Sequence, residues 1–291
     1  MLDSPWNCRT MTVPFLHGRK PFRMSSSKTL EPQKPLLIAI DGPAGAGKST
    51  VARLLADRLE IPYLDTGAMY RAVGLLALRA GHGSPLAESV HDEIADLAAR
   101  HSIELESDGE AVIVLVDGED VSETVRTPEC ALMASAVSAI SGVRRALVPI
   151  QRRIGLVRGC VMEGRDIGSV VFPEATLKVF HTASPDERAK RRQLDLEGQG
   201  IEASVDEVKQ QQRERDLQDT SRADSPLHVA QGSVVVDTTG SSLDEVVERL
   251  LSELESTSNF SLDTNGGNTI RSRNHGGLVR RRSAPIEEES S

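Results

Sequence analysis

Residues 38–50 read IAIDGPAGAGKST, and this stretch decides the fold. The apolar tetrad 37–40 has the length and unbroken apolarity of a strand buried on both faces of a parallel sheet. Three glycines then open a loop, for Gly42, Gly45 and Gly47 allow left-handed or closely approached backbone that a Cβ would forbid. Lys48, Ser49 and Thr50 begin an amphipathic helix with Val51, Leu54, Leu55 and Leu59 at its apolar positions. Written out, Gly42-Pro43-Ala44-Gly45-Ala46-Gly47-Lys48-Ser49 fits G-x-x-x-x-G-K-[ST], in the strand-loop-helix context that gives the pattern its meaning. The loop's N–H groups and the helix N-terminus form an anion cradle, Lys48 adds positive charge at the outer phosphates, and Ser49 offers an oxygen to Mg²⁺. A glycine-rich turn that merely caps a helix is the alternative; the flanking strand and helix argue against it.

Working outward, the 291 residues suffice for one large or two small domains, and one domain with two tails is the expectation. Residues 1–35 carry six basic side chains against two acidic ones, with no helical or strand periodicity. They read as a disordered extension. Their Arg- and Ser-containing, acid-poor composition resembles a transit peptide, but the amphipathic period is missing and Met24 offers a second start. Residues 256–291 lose all apolar pattern and read as a disordered tail. That tail holds five basic against four acidic side chains, so the −9 of the whole chain leaves the stretch between the tails at −14. So acidic a body repels nucleic acid and anionic membranes, and an anionic ligand must be held by a local cluster of arginines. A small phosphorylated substrate follows. Cys8, Cys130 and Cys160 have neither zinc-ligand nor disulfide-framework spacing, which fits a reducing cytoplasm. The longest apolar runs are too short to cross a bilayer.

Past the loop, PYLDTG is a short extended piece, followed by helical patterns over 68–80 and 87–100. A hairpin then runs through IELESDGEAVIVLVDGEDVSE, about a Ser-Asp-Gly turn. Helices over 127–140 and 143–158 complete a lobe inserted into the main sheet. Strands over 160–163, 177–181 and 234–237 resume it, separated by helices over 185–197 and 205–217 and closed by an amphipathic helix over 242–254. Alternating strands and helices define an α/β, doubly wound parallel sheet with ligands at the carboxyl ends of its strands. Arg71, Arg165 and Asp166 fall on that edge; Arg215, Asp219 and Arg222 are spaced along one expected helix. Exposed, salt-bridged arginines are the default, and the phosphate loop is what makes these candidates.

GPAGAGKST, LDTGAMYR, MASAVSAISGVRRAL, MEGRDIGSVVFP, ERAKRRQL and RERDLQDTSRADSPL together resemble the bacterial-type cytidylate kinases, over about 36–254. The resemblance implies a P-loop nucleoside monophosphate kinase fold in a domain at 36–255. A small monophosphate-binding insertion is expected at about 87–158 and a lid at about 184–204. It also implies phosphoryl transfer from ATP to CMP or dCMP with Mg²⁺; a monomer in the cytoplasm is the expectation beside it. Nucleic acid and membrane are not among the expected partners. Carried over by residue, Ser135, Arg144 and Asp166 surround the cytosine: a carboxylate accepts from its amine and a guanidinium donates to its ring acceptors. Arg71, Arg165 and Arg222 hold the acceptor phosphate beside Thr66 and Tyr70, and Arg215 and Asp219 lie near the ribose. Lys48, Arg165 and Arg222 are the catalytic set, since phosphoryl transfer needs alignment and charge neutralisation more than covalent chemistry. Arg188, Arg191 and Arg192 share one helix face and approach the ATP phosphates; a solvated basic face predicts the same spacing. Thr66 and Glu163 stand where many relatives carry Ser and Asp. An adenylate or shikimate kinase is the nearest rival, opposed by the base-reading trio, and a GTPase-like switch lacks its N-K-x-D.

Overall fold

The computed structural model describes residues 34–107, 112–198 and 200–257, together with 260–261 and 271–272. Most of both expected tails and the tip of the expected hairpin, at 108–111, therefore lie outside the described residues. Of the C-terminal tail, Phe260–Ser261 pairs antiparallel with Arg271–Ser272.

The main sheet has five strands: β1 (Leu37–Asp41), β2 (Tyr63–Asp65), β6 (Cys160–Gly164), β7 (Leu177–Thr182) and β8 (Val234–Asp237). Their order is β2-β6-β1-β7-β8 and every pairing is parallel. Strand β1 is thus central, and the loop that leaves it emerges between the ends of β6 and β7, where a doubly wound sheet binds its ligand. The two-residue alternation of β1 serves both faces. Ile38 and Ile40 join a core with Val51, Leu55 and Leu59 of α1 (Lys48–Leu59) and Val247, Leu250 and Leu254 of α8 (Leu243–Thr257). Leu37 and Ala39 turn the other way, to Leu64, Met162, Ile167 and Phe172.

A second body is built on α2 (Thr66–Arg79), α3 (His91–Arg100), α4 (Pro128–Ser138) and α5 (Ser141–Arg158). Against them pack β3 (Ile103–Ser107) and β4 (Val112–Val116), paired antiparallel as the hairpin pattern predicts, with the short β5 (Glu119–Asp120) beyond. Its core includes Met69, Val73, Ile94, Ile103, Val114, Met133, Val137 and Leu147. Helix α2 begins at Thr66, directly after β2 ends at Asp65, so this body is continuous with the edge of the main sheet.

The other flank carries α6 (Pro185–Glu197) and α7 (Val205–Ser221). Both start where their caps dictate. Ser184 accepts from the Glu187 N–H at 3.2 Å with Pro185 in the first turn, and Ser204 with Glu207 forms a reciprocal capping box. Helix α7 stops at Ser221, and Arg222 has extended torsions of φ −57° and ψ 139°. Arg222 therefore does not continue the helical row of Arg215 and Asp219, as the sequence spacing predicts. It leaves the helix end at a new angle while the chain folds back, with Leu227 N–H donating to the Asp219 carbonyl at 2.8 Å.

Candidate active site

The glycine loop is shaped by what lies against it. Gly42 (φ +153°) packs on the backbone of β7, and an added Cβ there would sit 1.9 Å from the His181 carbonyl oxygen. At Gly45 (φ +72°) a Cβ would fall 2.3 Å from Gln212 Nε2. Gly47 adopts φ 90° and ψ 15° at the head of α1, the left-handed region that glycine enters without strain. Within the loop Lys48 folds back so that its Nζ donates to the Pro43 carbonyl at 2.8 Å. The ammonium is buried, and that burial, followed by repulsion from Arg165, pulls its pKa down to about 7, with Glu163 opposing. Ser49 and Thr50 begin α1 and stay exposed.

Two carboxylates close the neighbouring strands. Asp41, at the end of β1, accepts from the N–H groups of Ile167 at 2.8 Å and Gly168 at 2.7 Å, and burial raises its pKa to about 6. It pins the turn that carries Arg165 and Asp166. Glu163 is buried on β6 and accepts from the Tyr63 hydroxyl, while its backbone carbonyl accepts from Thr66 Oγ1 at 2.7 Å. Burial and then Asp65 raise the pKa of Glu163; Lys48 and the hydroxyls of Ser49 and Tyr63 oppose them. Arg53 lies over the Tyr63 ring, 5.1 Å from its centroid.

Beside them one carboxylate organises two arginines. Asp219 is 1 % exposed, accepts from Arg165 Nε at 2.8 Å and pairs with Arg222 through its other oxygen. Burial alone would raise its pKa, but Arg165 and Arg222 outweigh it and hold the carboxyl below its usual range. Arg222 also donates to Ser138 Oγ at 3.0 Å, tying the end of α7 to α4. Arg215 is exposed on α7. Its protein surroundings first, then Arg165, pull its pKa down to about 10, with Arg222 and Arg192 adding to the repulsion. Arg71 donates to Asp65 at 2.8 Å.

Deeper in the second body, Arg144 and Asp166 form an ion pair whose partners are 3 % and 4 % exposed. Arg144 reaches the Ser138 carbonyl at 3.2 Å, and its guanidinium carbon lies 5.5 Å from the centroid of the buried Tyr70 ring. Ser135, half-buried on α4, donates its hydroxyl proton to Gln218 Oε1 at 2.8 Å, and Gln218 Nε2 donates to the Ser135 carbonyl at 3.2 Å. The Nε groups of Arg71, Arg144 and Arg222 are buried with no hydrogen-bond partner among the described residues. Such donors are rare in folded proteins and point to an acceptor that the protein itself does not provide.

The expected lid arginines divide. Arg188 is buried, pairs with Asp216 at 2.7 Å and donates to the Ala44 carbonyl at 3.0 Å. Arg191 pairs with Glu187 at 3.0 Å and donates to the Ala46 carbonyl at 3.1 Å and to Thr238. Arg192 is exposed. Arg188 and Arg191 thus grip carbonyls on the loop's outer side. Sequence reasoning passed over Asp41, Tyr63, Gln212 and His181 as site residues. The signals were slight: an acid closing an apolar strand, and a histidine taking the third inward place in the Leu177, Val179, His181 alternation of β7.

Among the described residues no single helix is long and apolar enough to span a membrane. The cytidylate kinase family model matches residues 38–256. A cytidylate kinase from Syntrophotalea carbinolica is 45% identical over 218 residues, covering 75% of this chain and 91% of that protein. One from Solibacter usitatus is 48% identical over 221 residues, covering 75% and 92%. A bifunctional pantoate ligase/cytidylate kinase from a Synechococcus strain is 47% identical over 230 residues, which is 78% of this chain but 42% of that longer protein. With a family model spanning most of the described sheet and insertion, and relatives matched over nearly their full length, this chain belongs to the cytidylate kinase family.

Proposed function

We propose that the chain transfers the γ-phosphoryl group of ATP to CMP or dCMP, giving ADP and the corresponding diphosphate. The observation that carries this reading is the pair of guanidinium groups, Arg165 and Arg222, fixed by the single buried carboxylate of Asp219. Lys48 lies close enough to feel the charge of both Arg165 and Asp219. A dianionic phosphate suits such forks, and preset charge is what a loose, charge-spreading phosphoryl transition state requires.

In this reading the loop N–H groups from Gly42 to Gly47 and Lys48 hold the outer phosphates of ATP. Arg165, Arg222 and Arg71 hold the acceptor phosphate, and Lys48, Arg165 and Arg222 neutralise charge as it moves between them. Arg215 and Asp219 flank the ribose. Asp166 accepts from the cytosine amine while Arg144 donates to the ring acceptors, with Tyr70, Thr66 and Ser135 lining the same side. The orphaned Nε groups of Arg71, Arg144 and Arg222 fit an acceptor rich in oxygen and ring nitrogen.

Mg²⁺ fits the donor set here. The ion keeps several waters and needs few protein ligands, and the exposed Ser49 hydroxyl stands at the loop's end with the Glu163 carboxylate within electrostatic reach. Ser49 would hold it; when bound it neutralises charge between the outer phosphates. The acceptor test is a panel of CMP, dCMP, UMP, AMP and shikimate with ATP and Mg²⁺, followed by ADP release. CMP and dCMP are expected to turn over far faster than the others. Acceptor-independent ADP release, or a preference for AMP or shikimate, overturns the reading.

A further inference from the structure

We infer that His181 is a positioning residue for the nucleotide-phosphate cradle: its Nε2–H holds the Ala46 carbonyl outward and so aims the Gly47 N–H at the phosphates. The ring is 1 % exposed on β7, and its Nε2 lies 2.8 Å from the Ala46 carbonyl oxygen. A carbonyl only accepts, so that contact fixes the tautomer with the proton on Nε2. Nδ1 is buried with no hydrogen-bond partner among the described residues, so nothing competes for the ring's orientation. Burial, then Lys48 and Arg191, pulls the imidazole pKa down to about 4, opposed by the Ala46 contact, so the donor is a neutral ring at working pH.

The consequence follows from peptide geometry. In a planar trans peptide the C=O and the following N–H point in opposite directions. The only cis peptide among the described residues is Ser84-Pro85, so the Ala46–Gly47 unit is trans. Pulling its carbonyl toward β7 therefore turns the Gly47 N–H toward the opposite, cradle side. Arg191 donates to the same carbonyl at 3.1 Å, but from a half-exposed lid helix that also depends on Glu187 and Thr238. His181 makes its contact from within the sheet. Its backbone also abuts Gly42, so one residue supports both ends of the loop.

The role rests on ATP phosphates occupying the loop, so Lys48→Met accompanies the test as a control. The measurement is KM for ATP against KM for CMP, with equilibrium ADP binding as a second readout, for His181→Leu, His181→Asn and His181→Gln. Glutamine places an amide N–H where Nε2 stands; asparagine falls short; leucine has no donor. His181→Leu and His181→Asn are expected to raise KM for ATP and weaken ADP binding about tenfold, the scale of one hydrogen bond, with KM for CMP changed less than about twofold. His181→Gln is expected within about threefold of the native protein. If leucine fails to fold, asparagine carries the comparison. Equal losses for glutamine and leucine, or parallel changes in both KM values, would mean that the ring merely fills space and would overturn the inference. Lys48→Met separates the premises: if it too leaves ADP binding intact, the loop is not the nucleotide site, whereas if it alone weakens binding, only the role of His181 fails.

Discussion

Replacing Asp166 by Asn tests the base-reading reading where stability and specificity give different answers. Asp166 and Arg144 are both more than nine-tenths buried, and Arg144's remaining contacts are the Ser138 carbonyl at 3.2 Å and the face of Tyr70. Neutralising the carboxylate strands a buried guanidinium, and breaking such a pair costs about 3–5 kcal/mol. Asparagine keeps one acceptor in place, so a cost just below that range, about 2–3 kcal/mol, is expected. For a domain of this size that lowers Tm by roughly 4–12 °C. The same change gives the site a side chain that presents either an acceptor or a donor to position 4 of the pyrimidine. Discrimination of CMP over UMP, read as the ratio of kcat/KM values, should then fall about ten- to a hundredfold, one to two polar groups' worth. Differential scanning fluorimetry and steady-state kinetics on one preparation supply both numbers. A Tm within about 2 °C of native would refute the argument for a buried pair that matters to the fold. A large Tm loss with an unchanged CMP to UMP ratio would leave Asp166 a brace for Arg144 and remove it from base recognition.

Lys48→Ala should fold yet lose at least about a hundredfold in kcat, the scale of one preset electrostatic contact; near-native turnover would remove Lys48 from the transition state. Lys48 also sets a pH dependence in the free protein: its pKa is about 7 when folded against about 10.4 unfolded, so the unfolded chain binds more protons between those values and stability rises with pH across that window. Lys48→Met should accordingly gain most over the native protein at pH 7 and below, with the gain shrinking towards pH 10, as denaturant midpoints would record; a constant gap contradicts it. Gly42→Ala should abolish nucleotide binding and lower Tm, because the new methyl meets backbone, 1.9 Å from the His181 oxygen, rather than a side chain that can yield. Native-like ADP binding by that variant would show that β7 can move.

The parts of this molecule that could be read from the chain are those whose cause is local. The loop's glycines, the apolar strand before it and the periodic helix after it lie within two dozen residues, and each enforces its own geometry. The helix over 143–158 begins at Ser141, with no side-chain cap to mark it, and the one over 205–217 extends to Ser221 before the chain turns back; apolar periodicity marks neither boundary. What could not be read depends on partners far along the chain. Asp219 was legible as a ribose candidate and Arg222 lies three residues on, but the Arg165 that shares its carboxylate comes from a turn 54 positions away. The basic row of α6 was visible, yet nothing local distinguishes Arg188, buried on Ala44, from Arg192, exposed one turn away. In the Leu177, Val179, His181 alternation a polar residue in an apolar place was visible, but its acceptor lies 135 positions away.

The electrostatics of the cleft run against those of the whole chain, and the contrast explains how its carboxylates are used. The stretch between the expected tails is strongly acidic, so no long-range field draws an anion in. Within the cleft the shifts agree on local positive charge: repulsion from guanidinium groups helps lower both Lys48 and Arg215, and guanidinium attraction lowers Asp219 despite its burial. Left alone, so many cations would splay apart. Asp65, Asp166 and Asp219 each hold an arginine in place, and Asp219 holds two. These acids do not cancel the cluster, because they are outnumbered where Arg165, Arg215 and Arg222 meet. They fix its geometry and leave a residual positive charge. On the proposed reading, a phosphate bound there would relieve repulsion already built into the fold, with little reorganisation of the arginines. On the same reading, the acidity elsewhere would repel a polyanion such as nucleic acid over its length, while a mononucleotide would meet only the cleft.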